Sequence, residues 1–410
     1  MPVIIIGGGI TGLVLALSLK KLGIACRVYE AASEFRKVGV GINLLPHAVR
    51  ELKELGLLEA LSANAVSTRE MCFYNRFGQF IHKEARGTFA GYEWPQLSIH
   101  RGELHRVQYE AVLAALGPDS VQLNHRCERV EQDAGGVTVH FAGREPVRGS
   151  VAVACDGIHS VVRQQCYPDQ GPHNYAGINM WRGVTRWKPF LTGASMVQIG
   201  WLDVGKAVIY PIESRIDEHG LQLHQWTAEI CSPRNVQADW NLGGKYEDFM
   251  PKFESFRFDW LDVAAFLRAS ELVLEFPMVD RDPVDRWSFG RITLVGDAAH
   301  PMYPRGGNGA GQGILDARAL AGCLARESDP VAALKAYEDV RLKAANGAVL
   351  ASRNAPPDTI LRLVHERSGD KPFGKLEDIV SAEEIAATMD SYKRAAGFQR
   401  EALTQRGALA

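Results

Sequence analysis

Three places in this 410-residue chain set glycine at the end of an apolar, strand-forming run, with an acid beside it or at the end of the next strand. The fullest is Arg291 to Ala317, RITLVGDAAHPMYPRGGNGAGQGILDA. Ile292 to Val295 reads as a strand buried on both faces, and Gly296 and Asp297 close it. His300 to Gln312 read as a loop rich in Gly and Pro, with a helix predicted from Ile314 to Leu324. A strand that runs through a glycine loop into a helix start gathers backbone N–H groups at one point, which suits anions and polarised oxygens. An acid fixed at the strand end suits the hydroxyls of a ribose or another polyol. The second place is Val3 to Ile6, followed at once by Gly7-Gly8-Gly9-Ile10-Thr11-Gly12. Leu15, Leu19 and Leu22 then recur at helical spacing, Gly23 stops the helix, and a strand from Cys26 to Tyr29 ends in Glu30. The third is Val151 to Ala154, which runs into Asp156-Gly157-Ile158-His159-Ser160 and a helix carrying Arg163.

The N-terminal element has a specific physical account. Gly7 permits the tight turn, Gly9 lets the backbone approach a pyrophosphate, and Gly12 lets the helix pack close to the sheet. Glu30 is placed to accept hydrogen bonds from an adenosine ribose, and a carboxylate there disfavours a 2′-phosphate because two negative charges would meet. The bound nucleotide is therefore FAD or NAD rather than NADP. Three such strand ends point to one parallel sheet with its ligand along the carboxyl edge. Arg163 suits either a pair with Asp156 or a phosphate. Arg101 begins another helix, where it suits a phosphate or stands as an ordinary exposed arginine. Gly39-Val40-Gly41-Ile42 reads equally as a surface for a flat ring system and as a plain turn.

These elements need a scaffold, and the chain has room for two domains. Apolar residues make up 46% and charged residues 23%, as in ordinary globular proteins. A net charge of −2 gives no reason to expect nucleic acid. The seven cysteines are scattered without CxxC spacing, which predicts thiols in a reducing cytoplasm and no metal site. No signal sequence precedes Val3, and no apolar run approaches the roughly 18 residues of a membrane span. Residues 73–98 and 174–276 alternate with period two and carry many aromatics, which predicts an antiparallel sheet roofing a ligand. Trp181, Tyr210, His224 and Trp226 are candidates to line that roof, with core packing as the alternative for each. The expected division is a discontinuous nucleotide domain (1–72, 99–173 and 277–350), the inserted sheet (73–98 and 174–276), and a helical region (351–410).

GxGxxG at 7–12, the Asp-Gly element at 156–163 and the Gly-Asp element at 296–301, in that order, resemble the FAD-dependent, single-component aromatic hydroxylases. These are the class A flavoprotein monooxygenases, the p-hydroxybenzoate hydroxylase-like group. Ile99-His100-Arg101-Gly102-Glu103-Leu104, Met180-Trp181-Arg182-Gly183-Val184 and Pro277-Met278-Val279-Asp280-Arg281-Asp282-Pro283 are similar to the phenazine hydroxylase subgroup of pyocyanin biosynthesis. The resemblance implies a Rossmann-like α/β fold with FAD held by Gly7, Gly9, Gly12, Glu30, Arg101, Asp156, Gly157 and Asp297. Backbone N–H groups around Gly309, Gly311 and Gly313 would face the flavin, and Pro301 would lie at its face near the substrate. Many members carry Asn where this chain has Ile314, which puts a side-chain contact there in doubt. The implied reaction uses NADH or NADPH as transient reductant and O₂, through a flavin C4a-hydroperoxide, to hydroxylate an electron-rich aromatic or N-heteroaromatic ring. A carboxylate at the attacked carbon would leave as CO₂, and Arg182 or Arg305 would orient such an anion. Tyr210 and His224 are the side chains suited to acid–base work, though their spacing names no base. The rivals are a flavin reductase, dehydrogenase or halogenase on the same fold, or a flavin-binding protein without turnover. The WxWxIP string of flavin halogenases is missing, since Leu202-Asp203-Val204 follows Trp201. A monomer or homodimer is expected.

Overall fold

The computed structural model describes residues 1–35, 39–233, 243–270 and 272–405, so the parts of the expected ranges at 36–38, 234–242, 271 and 406–410 lie outside the described residues. Val3–Ile6 is buried throughout, as the central strand of a parallel sheet must be. It pairs parallel with Cys26–Tyr29 on one side and Ala152–Ala154 on the other. Ala152–Ala154 pairs parallel with Ile292–Leu294, Val121–Gln122 extends one edge, and Ser288–Phe289 closes the other antiparallel. Ile6 lies opposite Ala154 and Ala154 opposite Leu294, so the three predicted strand ends stop side by side.

The second sheet has seven strands in the spatial order Val273–Asp280, Asn174–Trp187, Gln222–Cys231, Gly205–Ile216, Ser195–Trp201, Glu70–Tyr74 and Phe80–Ala85. It is antiparallel except where Ser195–Trp201 and Glu70–Tyr74 run parallel. The architecture is the α/β nucleotide fold with an inserted sheet that the sequence predicts. Several edges differ. The sheet takes in Glu70 to Cys72 and Pro277 to Asp280, which the expected division gives to the nucleotide domain, because those strands stay paired along Ser195–Trp201 and Asn174–Trp187. The Pro330–Asn354 helix runs through the expected boundary at 350.

The long sheet has two buried faces. Trp181, Ile209, Trp226 and Ala228 pack outward against the Tyr246–Phe253 and Val263–Arg268 helices. Met180, Tyr210, Ile212, Leu274 and Phe276 belong to the inner cluster, which the C-terminal Thr359–Ser368 and Ala382–Ala395 helices join through Ile360, Leu361, Ile385 and Met389. The helix after the third strand end spans Gly309–Arg326, five residues earlier than the predicted start at Ile314. Its first glycines look like loop by propensity, but close packing demands Gly311 and Gly313. A Cβ on Gly313 would lie 2.3 Å from Thr11 Oγ1, and one on Gly311 would lie 3.0 Å from His47 Nε2. Tertiary contact overrides local preference here.

Candidate active site

Gly7 has φ +104°, and a Cβ there would lie 2.4 Å from the Cys155 carbonyl oxygen. A Cβ on Gly12 would lie 2.1 Å from the Gly7 carbonyl oxygen, so both positions require glycine for backbone packing. Gly9 is different: apart from its chain neighbours, no atom of the described residues lies within 4 Å of where its Cβ would be. The Ile10–Lys21 and Gly309–Arg326 helices both start without a side-chain cap, leaving their first-turn N–H groups available to an anion. Glu30 accepts from the Gly8 N–H at 2.7 Å and the Ala32 N–H at 2.8 Å, which closes the glycine turn. Each carboxylate oxygen keeps a lone pair for a hydroxyl. Arg101 is exposed, and its side chain has no hydrogen bond or ion pair among the described residues.

Asp156 accepts from the Val161 N–H at 3.0 Å and so supports the start of its own helix; burial raises its carboxyl pKa. Gly157 beside it has φ +77° and an open α-carbon. Arg163 takes neither predicted partner. It donates to the carbonyls of Ala298 (2.9 Å) and Ala299 (2.5 Å) and to Gln170, tying the second strand end to the third. Behind the third end, His300 and Arg341 both bond Asp316, at 2.5 and 2.8 Å. Burial works against that carboxylate, yet its contacts with His300 and Arg341 hold its pKa at about 2.

Asp297 and Arg182 share a telling combination. Each lies deep among protein atoms, so burial raises the Asp297 pKa and lowers that of Arg182. Yet both keep solvent-accessible surface, which places them on the wall of an internal cleft. Asp297 has no hydrogen bond among the described residues, although His300 and Arg101 draw its pKa down against burial. Arg182 donates to the Gly41 carbonyl at 3.3 Å, reaches the Tyr210 hydroxyl and lies over the Phe276 ring. No carboxylate lies within ion-pair distance of it among the described residues.

The Gly41–Leu44 strand docks on this inner face. A Cβ on Gly41 would meet Ile212, Gln225 and Tyr210 within 2.9 Å, and the Gly41 N–H donates to Gln225 Oε1 at 2.8 Å. Tyr210 is within hydrogen-bonding reach of Asn43 as well as Arg182, and burial pushes its hydroxyl up to about 12. Sequence reasoning missed Asn43 and Gln225. Strand parity was the available signal, because Tyr210, Gln225 and Arg182 fall on one face.

The same parity corrects three expectations. Tyr210 pairs with Gln225, so His224 and Trp226 point to the other face. His224 stacks on Phe190 in the outer core, where burial lowers its pKa to about 4. Trp226 donates to Thr185 Oγ1, and Trp181 stacks on Phe249, so neither tryptophan reaches the inner face. Arg305 is already paired: its guanidinium bonds the buried Asp358 at 2.9 and 3.3 Å. Pro301 is buried at the base of the loop that follows His300. Gly311 and Gly313 serve helix packing, and only Gly309 approaches Asp297.

These residues fit a flavin dinucleotide on their own chemistry. Gly9 presents an open face, two uncapped helix starts offer N–H donors, and Glu30 and Asp297 offer acceptors for hydroxyls. Comparison with known proteins agrees. Residues 1–229 and 267–352 match the family described as FAD binding domain. The chain is 40% identical to a phenazine 1,6-dicarboxylic acid hydroxylase of Lysobacter antibioticus over 93% of this chain and 95% of that one. It is 37% identical to a 3-amino-4-hydroxybenzoate 2-monooxygenase of Streptomyces platensis, over 82% and 83%. HpxO of Klebsiella pneumoniae, crystallised with FAD and uric acid, shares the fold at a TM-score of 0.76 and 24% identity, over 98% of this chain and 97% of that one. The chain belongs to the FAD-binding-domain family, among its flavoprotein aromatic monooxygenases.

Proposed function

We propose that this monooxygenase hydroxylates a flat, electron-rich aromatic or N-heteroaromatic acid, and that Arg182 holds the ring carboxylate. The observation that carries the reading is a guanidinium deep in the cleft with no acid paired to it among the described residues. Leaving such a charge unpaired is costly, and an anionic ligand relieves that cost. Both relatives named above act, by name, on ring acids.

FAD, reduced by NADH or NADPH, supplies the oxygen activation. The chain supplies position and polarity. Glu30, Arg101 and the open turn at Gly9 grip the adenosine and pyrophosphate half, and Asp297 takes the ribitol hydroxyls. Asp156 and Gly157 border the path of the passing nicotinamide. The first-turn N–H groups at Gly309 and Ala310 stabilise a negative oxygen. Arg182, with the Tyr210 hydroxyl, sets the acid's orientation, while Met180, Phe276 and Pro301 keep the pocket dry. Tyr210 is a positioning donor and not a base, since its hydroxyl stays protonated near neutral pH. No helix of the described residues is long and apolar enough to cross a membrane, and a cytoplasmic site of action fits the thiol content.

The test pairs ring acids with their carboxamides across phenazine, pyridine and hydroxybenzoate compounds, reading binding to the holoenzyme by the flavin absorbance change. A charge-assisted contact of about 1.5–3 kcal/mol predicts that the accepted acid binds roughly 10–150-fold more tightly than its amide. Arg182→Met should erase the difference. Equal binding of acid and amide to the unmodified protein would contradict the assignment.

A further inference from the structure

The last residue matched by the family is 352, yet the chain beyond it touches the 300–308 loop and the first turn of the following helix at three points. The first is Asp358, a fully buried carboxylate just ahead of the Thr359–Ser368 helix. It bonds Arg305 of the loop at 2.9 Å and Lys206 of the long sheet at 2.5 Å, and Lys206 also pairs with Glu229 at 2.9 Å. One acid thus joins the loop, the sheet and the C-terminal region. The second contact is steric. Gly306 has φ +98° and packs so closely on Tyr392 that a Cβ would lie 2.0 Å from the tyrosine hydroxyl oxygen. The third is the Ala396 carbonyl, which accepts from Asn308 Nδ2 and from Gln312 Nε2, both at 3.2 Å.

The inner ends of these contacts are fixed in turn. Asn308 Oδ1 lies 2.9 Å from His47 Nε2. Burial lowers the His47 pKa to about 3, so the neutral ring donates this N–H. Gln312 Oε1 accepts from Arg341 at 2.6 Å, and Arg341 also holds Asp316, the partner of His300. A loop with Gly306 and Gly307 both at positive φ has high conformational entropy to lose. It carries no strand ladder of its own, so its orientation comes from outside contacts. Asn308 precedes Gly309 directly, and its hold on Ala396 therefore sets the direction of the uncapped first turn.

We propose that Asp358 and the Ala396 carbonyl are positioning groups for the flavin site, acting through Arg305 and Asn308 to hold the 301–308 loop and the Gly309 turn in the orientation that receives FAD. The C-terminal region is then a working part of the cofactor site. The inference rests on FAD binding and is independent of the substrate carboxylate.

The test uses the full chain, titrated with FAD, as Arg305→Gln, Arg305→Lys and Asn308→Ala. Loss of one such tie should weaken FAD binding about tenfold in Arg305→Gln and in Asn308→Ala, whereas Arg305→Lys, which keeps the ion pair, should stay within about threefold. A second readout separates positioning from mere stability. With FAD saturating and the temperature far below unfolding, the visible circular dichroism of the bound flavin should change in the first and third variants. Iodide quenching of its fluorescence should rise in the same two, while Arg305→Lys matches the unmodified protein. Should Arg305→Gln not fold, Asn308→Ala decides the matter, since it removes only neutral bonds. FAD affinity within twofold, with unchanged dichroism and quenching in the folded variants, would overturn the proposal.

Discussion

Replacing Gly9 by valine should separate cofactor binding from folding. Gly9 sits at φ −74° and ψ −176°, an extended conformation that any residue adopts, and apart from its chain neighbours no atom of the described residues lies within 4 Å of its Cβ position. The apoprotein of Gly9→Val should therefore unfold within about 1 kcal/mol of the unmodified chain, and slightly on the stable side, because the unfolded state loses freedom. The cofactor meets a different surface. The side chain occupies the face where a pyrophosphate would approach the first-turn N–H groups of Ile10 and Thr11. Bonds to charged oxygens are worth about 1.5–3 kcal/mol each, so losing two costs roughly 3–6 kcal/mol, or about 10²–10⁴-fold in FAD affinity. Gly12→Ala is the contrast. Its Cβ would lie 2.1 Å from a backbone oxygen, so the apoprotein itself should be destabilised. Urea unfolding of the apoproteins and flavin fluorescence titration measure both quantities. A Gly9→Val protein that binds FAD within threefold, or whose apo form loses more than about 2 kcal/mol, would refute the reasoning.

Asp297→Asn should fold and retain little FAD, and its apoprotein should lose less stability between acid and neutral pH than the unmodified one. The raised native pKa of Asp297 makes ionisation costly as pH rises above the unfolded carboxyl value, which urea midpoints at two pH values would detect. His224→Phe tests the outer core. The native pKa of about 4 lies below the ordinary value of 6.5, so its contribution is complete above pH 6.5 and is lost as pH falls towards 4. That loss amounts to about 3 kcal/mol, and the phenylalanine variant should not show it. An identical acid dependence in both proteins would show that this imidazole is not buried as described.

The parts of the site that were legible in the sequence are those made by local chain direction. Val3–Ile6, Ala152–Ala154 and Ile292–Leu294 are short apolar runs with glycine and acid after them, and strand pairing then puts their ends together. What stayed hidden depends on contacts distant in sequence. Gly311 and Gly313 read as loop, because nothing local shows that His47 and Thr11 need the space. Arg305 and Arg182 look alike in sequence, and only the fold shows that Asp358 neutralises the first while no carboxylate among the described residues lies within ion-pair distance of the second. Composition leaves His224 and Trp226 open between the ligand face and the core, and one residue of register, which composition does not reveal, decides for the core. The C-terminal ties through Asp358, Tyr392 and Ala396 carry no motif at all.

The most direct test of the convergence of the three strand ends is amide hydrogen exchange of the apoprotein with and without saturating FAD. The amides of Gly8–Gly12, Gly157–Ser160 and Gly296–Gly311 should gain protection together, at one FAD per chain. Protection confined to one of these segments, or appearing in none, would contradict a single dinucleotide held along one sheet edge.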